Sequence, residues 1–112
     1  MSTSIEINSI DQRVEDLKII KAEEDKAYSG RKAYVTFELP ITADGKNIPE
    51  LDEFFKLDAV KNRAIRAAEG VLNRAAGWSD ISRLRYYRDG REVSMFEAAD
   101  TVQVTYTCLA AN

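Results

Sequence analysis

Seven arginines fall between residues 63 and 91, and their spacing sorts them into three sets. Arg63, Arg66 and Arg74 recur at helical intervals. Arg83 and Arg85 alternate with apolar residues, close to Tyr87. Arg88 and Arg91 flank Asp89-Gly90. A guanidinium is always charged, and its planar fork pairs two-pronged with a carboxylate or a phosphate. These residues therefore point to docking chemistry, directed at an acidic protein surface or at nucleic-acid phosphates. Tyrosine among arginines also offers a flat ring on which a base could stack.

Catalytic chemistry is sparse by comparison. The chain has no histidine, which removes the commonest general base, the commonest zinc ligand and the usual partner of a nucleophilic Ser or Cys. The one cysteine, Cys108, continues an apolar row with Val102, Val104 and Tyr106 and reads as a core thiol, with no basic residue adjoining it in sequence. The acidic group Asp44, Glu50, Asp52 and Glu53 lacks the spacing of a calcium loop. It reads as helix-start chemistry around Pro49. There is no Gly-rich phosphate loop, Cys/His cluster or nucleophile elbow, so no catalytic residue, metal or cofactor is assigned.

The first arginine set must sit on a helix. In the stretch 57–76, LDAVKNRAIRAAEGVLNRAA, the residues Val60, Ala64, Ala67, Ala68, Val71, Leu72 and Ala75 share one face at three-and-four spacing. The pattern predicts a long helix over about 58–76, with Asp58 capping its start and Gly77 turning left-handed at its end. Asn62, Arg63, Arg66, Asn73 and Arg74 share the polar face with Glu69 as its one acid. Gly70 also lies there, at a cost of roughly 1 kcal/mol against Ala, which something packed closely over it would explain.

The other arginines need a sheet. Asp89-Gly90 between two alternating runs predicts a two-residue hairpin. Its register pairs Arg88 with Arg91, Tyr87 with Glu92, Tyr86 with Val93, Arg85 with Ser94 and Leu84 with Met95. Leu84, Tyr86, Val93 and Met95 then share one face, and Arg83, Arg85, Tyr87, Glu92, Ser94 and Phe96 the other. Arg88 opposite Arg91 is a like-charge pair that an acidic partner would relieve. Residues 31–39 alternate Ala33, Val35, Phe37 and Leu39 against Tyr34, Thr36 and Glu38, a strand that Pro40 ends. Residues 101–109 repeat the pattern with threonines outward. If that C-terminal strand is a sheet edge, it could pair with a second chain. Residues 3–8 read as a short strand. Residues 9–30 read as a hairpin arm over 17–23 in preference to a helix opened by a Ser9–Gln12 capping box. Asp44-Gly45 marks a loop, and Leu51, Phe54 and Phe55 suit a short helix on the core.

The chain has 112 residues, enough for one domain. Hydrophobic residues make up 45% and charged residues 31%, a globular profile. No apolar run approaches the ~20 residues that span a bilayer, and no secretory signal opens the chain. A lone thiol fits a reducing, cytoplasmic setting. The net charge of −3 is uneven: residues 1–60 hold 8 basic and 13 acidic side chains, residues 61–91 hold 8 and 3, and residues 92–112 hold none and 3.

These observations predict a single α+β domain over residues 1–112. An antiparallel sheet of about five strands carries the long helix on one face, with a short helix before it and the last three strands as a meander. The expected role is that of a small intracellular protein-binding module: an inhibitor, adaptor or assembly subunit of the kind viruses and mobile elements encode. It would act by surface complementarity, without catalysis or cofactor and away from membranes. Its partner would present an acidic surface to Arg63, Arg66, Arg74, Arg83, Arg85, Tyr87, Arg88 and Arg91. The alternative is a nucleic-acid-binding protein that uses the Arg-bearing helix face and the Arg/aromatic sheet face.

Overall fold

Strand β2 (Lys32–Pro40) alternates along its whole length. Ala33, Val35, Phe37 and Leu39 are enclosed, while Tyr34, Thr36 and Glu38 point the other way. Period-two alternation of β-branched and aromatic residues seats a strand on one apolar layer. β5 (Thr101–Ala110) does the same with Val102, Val104, Tyr106 and Cys108. The two run antiparallel, with Phe37 opposite Val104 and Val35 opposite Tyr106. The structure, a computed structural model, describes residues 13–25, 31–41, 51–95 and 98–111. The expected strand at 3–8, the Ser9–Gln12 box, the Asp44-Gly45 loop, Pro49 and Phe96 lie outside them.

Three more strands complete the sheet: β1 (Lys18–Asp25), β3 (Ala76–Arg88) and β4 (Arg91–Val93). The order is β1-β2-β5-β3-β4, antiparallel throughout. β1 and β2 form the hairpin expected of residues 17–39. Two expectations fail. The last three strands are not a meander, because β5 returns to the far flank of β3 instead of continuing past β4. Nor is the C-terminal strand an edge, because β5 is paired on both sides, by β2 and β3. Burial accounts for both. β5 carries the deepest apolar row, and the centre of the sheet is where that row is covered from both flanks and from above.

The cover is chiefly two helices; residues 13–16, which the hairpin reading of 9–30 left out of a helix, also form a helical turn ahead of β1. Helix α1 (Leu51–Phe55) buries Phe54 and Phe55, and helix α2 (Asp58–Leu72) buries Val60, Ala64, Ala68 and Leu72 at steps of four. Small Ala side chains let α2 lie close on β1, β2, β5 and β3. The hydroxyl of the buried Tyr106 donates to the Phe55 carbonyl, tying β5 to the end of α1.

The helix termini differ from expectation. The N-cap is Leu57, with no side-chain capping bond, and Asp58 lies inside the first turn. Asn73, not Gly77, takes the left-handed C-terminal position, at φ 58°, and its N–H donates to the Glu69 carbonyl. Asn tolerates this conformation, and two tertiary bonds fix the stop here. Arg31 Nη2 donates to the Leu72 carbonyl at 2.6 Å, and the Glu69 carboxylate accepts the Ala76 N–H at 3.0 Å. The chain then enters β3, where Gly77 is a strand residue. Gly70 is exposed, and nothing stands within 4 Å of where a Cβ would be.

The β3–β4 turn takes the expected register over three pairs: Tyr86 with Val93, Tyr87 with Glu92 and Arg88 with Arg91. Asp89 and Gly90 have φ of 50° and 81°, both positive as the two-residue turn requires. The pairs Arg85–Ser94 and Leu84–Met95 do not form. β4 ends at Val93, and Met95 is exposed.

Candidate functional site: the uncovered sheet face

With α2 on one side, the other side of the sheet carries no helix among the described residues. Alternation decides what stands there. β2 contributes Tyr34, Thr36 and Glu38, β5 contributes Gln103 and Thr105, and β3 contributes Arg83, Arg85 and Tyr87, with Arg83 opposite Thr105 and Arg85 opposite Gln103. A bulge at Ile20 in β1 swings Lys21 opposite Thr36 and brings it onto the same face. Lys21, Tyr34, Thr36, Arg83 and Thr105, with Glu23 and Ser82, line an open groove of about 440 Å³. A smaller hollow of about 160 Å³ adjoins it, and the two share Lys21, Thr36, Arg83 and Thr105.

Most polar groups of this face are paired within the chain. Thr36 and Thr105 hydroxyls lie 2.9 Å apart. Gln103 Nε2 donates to Glu38 at 3.3 Å, and Tyr34 OH donates to Asp25 at 3.0 Å. Lys21 Nζ sits 3.3 Å from Glu23, and Arg85 Nη1 sits 3.7 Å from Glu92. Arg83 differs: it is exposed, lines both hollows, and has no hydrogen-bond or ion-pair partner among the described residues. The groove can therefore hold an anionic group against Arg83, with the threonine hydroxyls beside it and Tyr87 in the adjoining hollow.

The sequence-predicted residues do not form one surface. Arg83, Arg85 and Tyr87 come together here. Arg66 is exposed on α2, on the helix side of the sheet, whereas Arg74 lies past the end of α2, contrary to the expected helix face, and donates to the Ala111 carbonyl at 3.2 Å. Arg63 belongs to the fold. Its Nη1 donates to the Val14 carbonyl at 2.6 Å, and its guanidinium lies 5.3 Å from the centroid of the buried Phe37 ring. It pins the turn before β1 to the helix, so its place on the polar face does not leave it free. Arg88 and Arg91 sit at the hairpin tip. Their repulsion is relieved internally: Arg88 donates to the Ala98 carbonyl at 3.3 Å, and Asp100 lies near it. The Asp100 carboxylate accepts the Asp89 N–H at 3.0 Å and the Thr101 hydroxyl at 3.0 Å. Those bonds, chiefly the Asp89 N–H, hold its pKa below the usual carboxylate value, with the Arg88 charge adding to the effect.

The lone thiol and the Tyr106 hydroxyl lie on the helix side of the sheet, away from the groove. Cys108 is buried in the core, where burial pushes its thiol pKa up. Ser79 Oγ, enclosed beside it, tempers that rise without making a full hydrogen bond. Burial likewise raises the pKa of the Tyr106 hydroxyl. No cluster of three or more metal-ligating side chains occurs among the described residues, and no helix there is long and apolar enough to cross a membrane.

Lys21 and Arg31 escaped sequence reasoning. Lys21 reaches the groove only because a bulge shifts the phase of β1. Arg31 acts over 41 residues of sequence separation. The chain matches no protein-family model, and no curated protein or solved structure proved similar to it.

Proposed function

We propose that this chain is a small non-catalytic protein-binding module whose contact surface is the uncovered sheet face. It docks an acidic segment of another protein on Arg83, Arg85 and Tyr87. The observation that carries this reading is Arg83: a guanidinium over an open groove with no acid of its own chain to satisfy it among the described residues. The internal bonds of Arg63, Arg74 and Arg88 weigh against the helix face and the hairpin tip. An inhibitor, adaptor or assembly subunit in the cytoplasm would use such a face. Buried charge-assisted pairs at a contact of this kind supply much of the binding energy.

Quantitative capture from extract of the native cell tests it. The variant Arg83→Glu/Arg85→Glu loses the captured protein, while Arg66→Glu/Arg74→Glu keeps it. Loss with the helix variant alone would place the contact on α2.

The second reading, single-stranded nucleic acid on the same face, is favoured by Arg83 and Arg85 beside Tyr87; Glu23, Glu38 and Glu92 around them repel any anionic partner, and a continuous phosphate backbone meets more of them than a short acidic segment does. It requires an oligonucleotide gel shift at ~50 mM salt that fades steeply by ~200 mM. No shift at the low end removes it.

A further inference from the structure

Among the described residues, strand β1 is a bare edge. It pairs with β2 on one flank only, and no strand among the described residues lies on the other. The opposite edge of the sheet is shielded in part, since β4 covers Tyr86–Arg88. Unpaired backbone groups along an edge are a template for another strand, and natural proteins usually guard them. β1 carries two lysines and a bulge of that guarding kind, yet it also exposes Ile19 and Ile20, each 46% accessible.

Its sequence, KIIKAEED, runs from basic to acidic. Such a strand complements itself only when a second copy lies antiparallel. The bulge fixes the register. Counting across it as β2 does, with Ile20 left out of the ladder, a two-fold axis at Ala22 sets Lys21 opposite Glu23 of the copy and Lys18 opposite Asp25 of the copy. Ile19 then faces Glu24 of the copy. Every pair keeps its proper face: Lys18, Lys21, Glu23 and Asp25 stand on the uncovered side, with Glu38, Thr36, Tyr34 and Lys32. Opposite charges directly across a strand pair are stabilising, and like charges are destabilising.

We propose that β1 pairs with β1 of a second copy of this chain about an axis at Ala22, making the two sheets one. Lys21 and Glu23 line the groove, so this pairing sets the two grooves side by side and lets each copy furnish charge to the other's rim. The inference goes beyond the docking role and stands without it, because it concerns the purified chain alone.

The test is mass by sedimentation equilibrium for the wild type, Lys21→Glu, Glu23→Lys and an equimolar mixture of the two variants. Both side chains are well exposed, at 62% and 54%, so the fold tolerates either change. The wild type should reach twice its 12.6 kDa chain mass. Each variant alone places like charges across the axis twice, and should self-associate at least about tenfold more weakly. The mixture restores opposite charges at both places and should recover the wild-type mass. A wild type that stays single up to about 100 µM overturns the proposal. So do variants that pair as well as the wild type, and so does a mixture that fails to recover.

Discussion

Phe37 and Thr36 are neighbours in β2 with opposite fates. Phe37 is wholly enclosed, edge-on to Tyr106 at 5.7 Å and beneath the Arg63 guanidinium. Thr36 looks out over a groove that no helix among the described residues covers. The two sides of one sheet thus divide the work. The helix side holds the apolar mass that stabilises the fold, and the bare side holds polar groups whose loss the fold would barely register. The same division separates arginines that share a chemistry. Arg63 donates a hydrogen bond to its own chain, and Arg83 has no partner among the described residues.

The largest effect should come from Phe37→Ala, which opens a cavity at the sheet centre and costs about 4 kcal/mol in urea unfolding. Thr36→Ala, one residue away, should cost less than about 1 kcal/mol. Equal losses would mean that the bare side also carries structural weight. Next, Arg63→Ala removes a charge-assisted bond to Val14 and a cation–π contact, for about 2 kcal/mol. Arg83→Ala should stay within about 0.5 kcal/mol of wild type. Reversing Arg63 therefore probes the fold and says nothing about a partner. In the other direction, Gly70→Ala meets open space and should stabilise by about 1 kcal/mol. A loss there would reveal a close neighbour on the outer side of α2.

The smallest effect is a pH dependence. The pKa of Asp100 is held below its ordinary value of 3.8, so its contribution is present above that value and disappears as pH falls through the lower, folded one. Asp100→Asn should thus be less stable than wild type near neutral pH, with the gap closing towards about pH 2. A gap that persists in acid would assign the loss to geometry alone.

Much of this was legible in the sequence wherever a pattern is local. The alternation of β2 and β5, the apolar stripe of α2 and the Asp89-Gly90 turn with its first three pairs all follow from neighbours in the chain. What was hidden depends on residues far apart. The stop at Asn73 rests on Arg31 and Glu69, so Ala75 and Ala76, good helix formers, lie outside the helix, and Ala76 opens β3. A helical wheel gave Arg63 its direction but not the turn at Val14 that covers it. Strand order is equally invisible to periodicity, which is why the sequence left open whether β5 is an edge, and it proved central. The alternation of Arg83, Arg85 and Tyr87 was plain, but not that their side of the sheet would lie open.

The most direct measurement is arginine footprinting of the captured complex, with phenylglyoxal labelling read by mass spectrometry on the wild-type chain with and without its partner. Arg83 and Arg85 should lose their reactivity on binding while Arg66 keeps its own. Protection of Arg66 with Arg83 still reactive would contradict the account, and would move the contact from the open sheet to the helix.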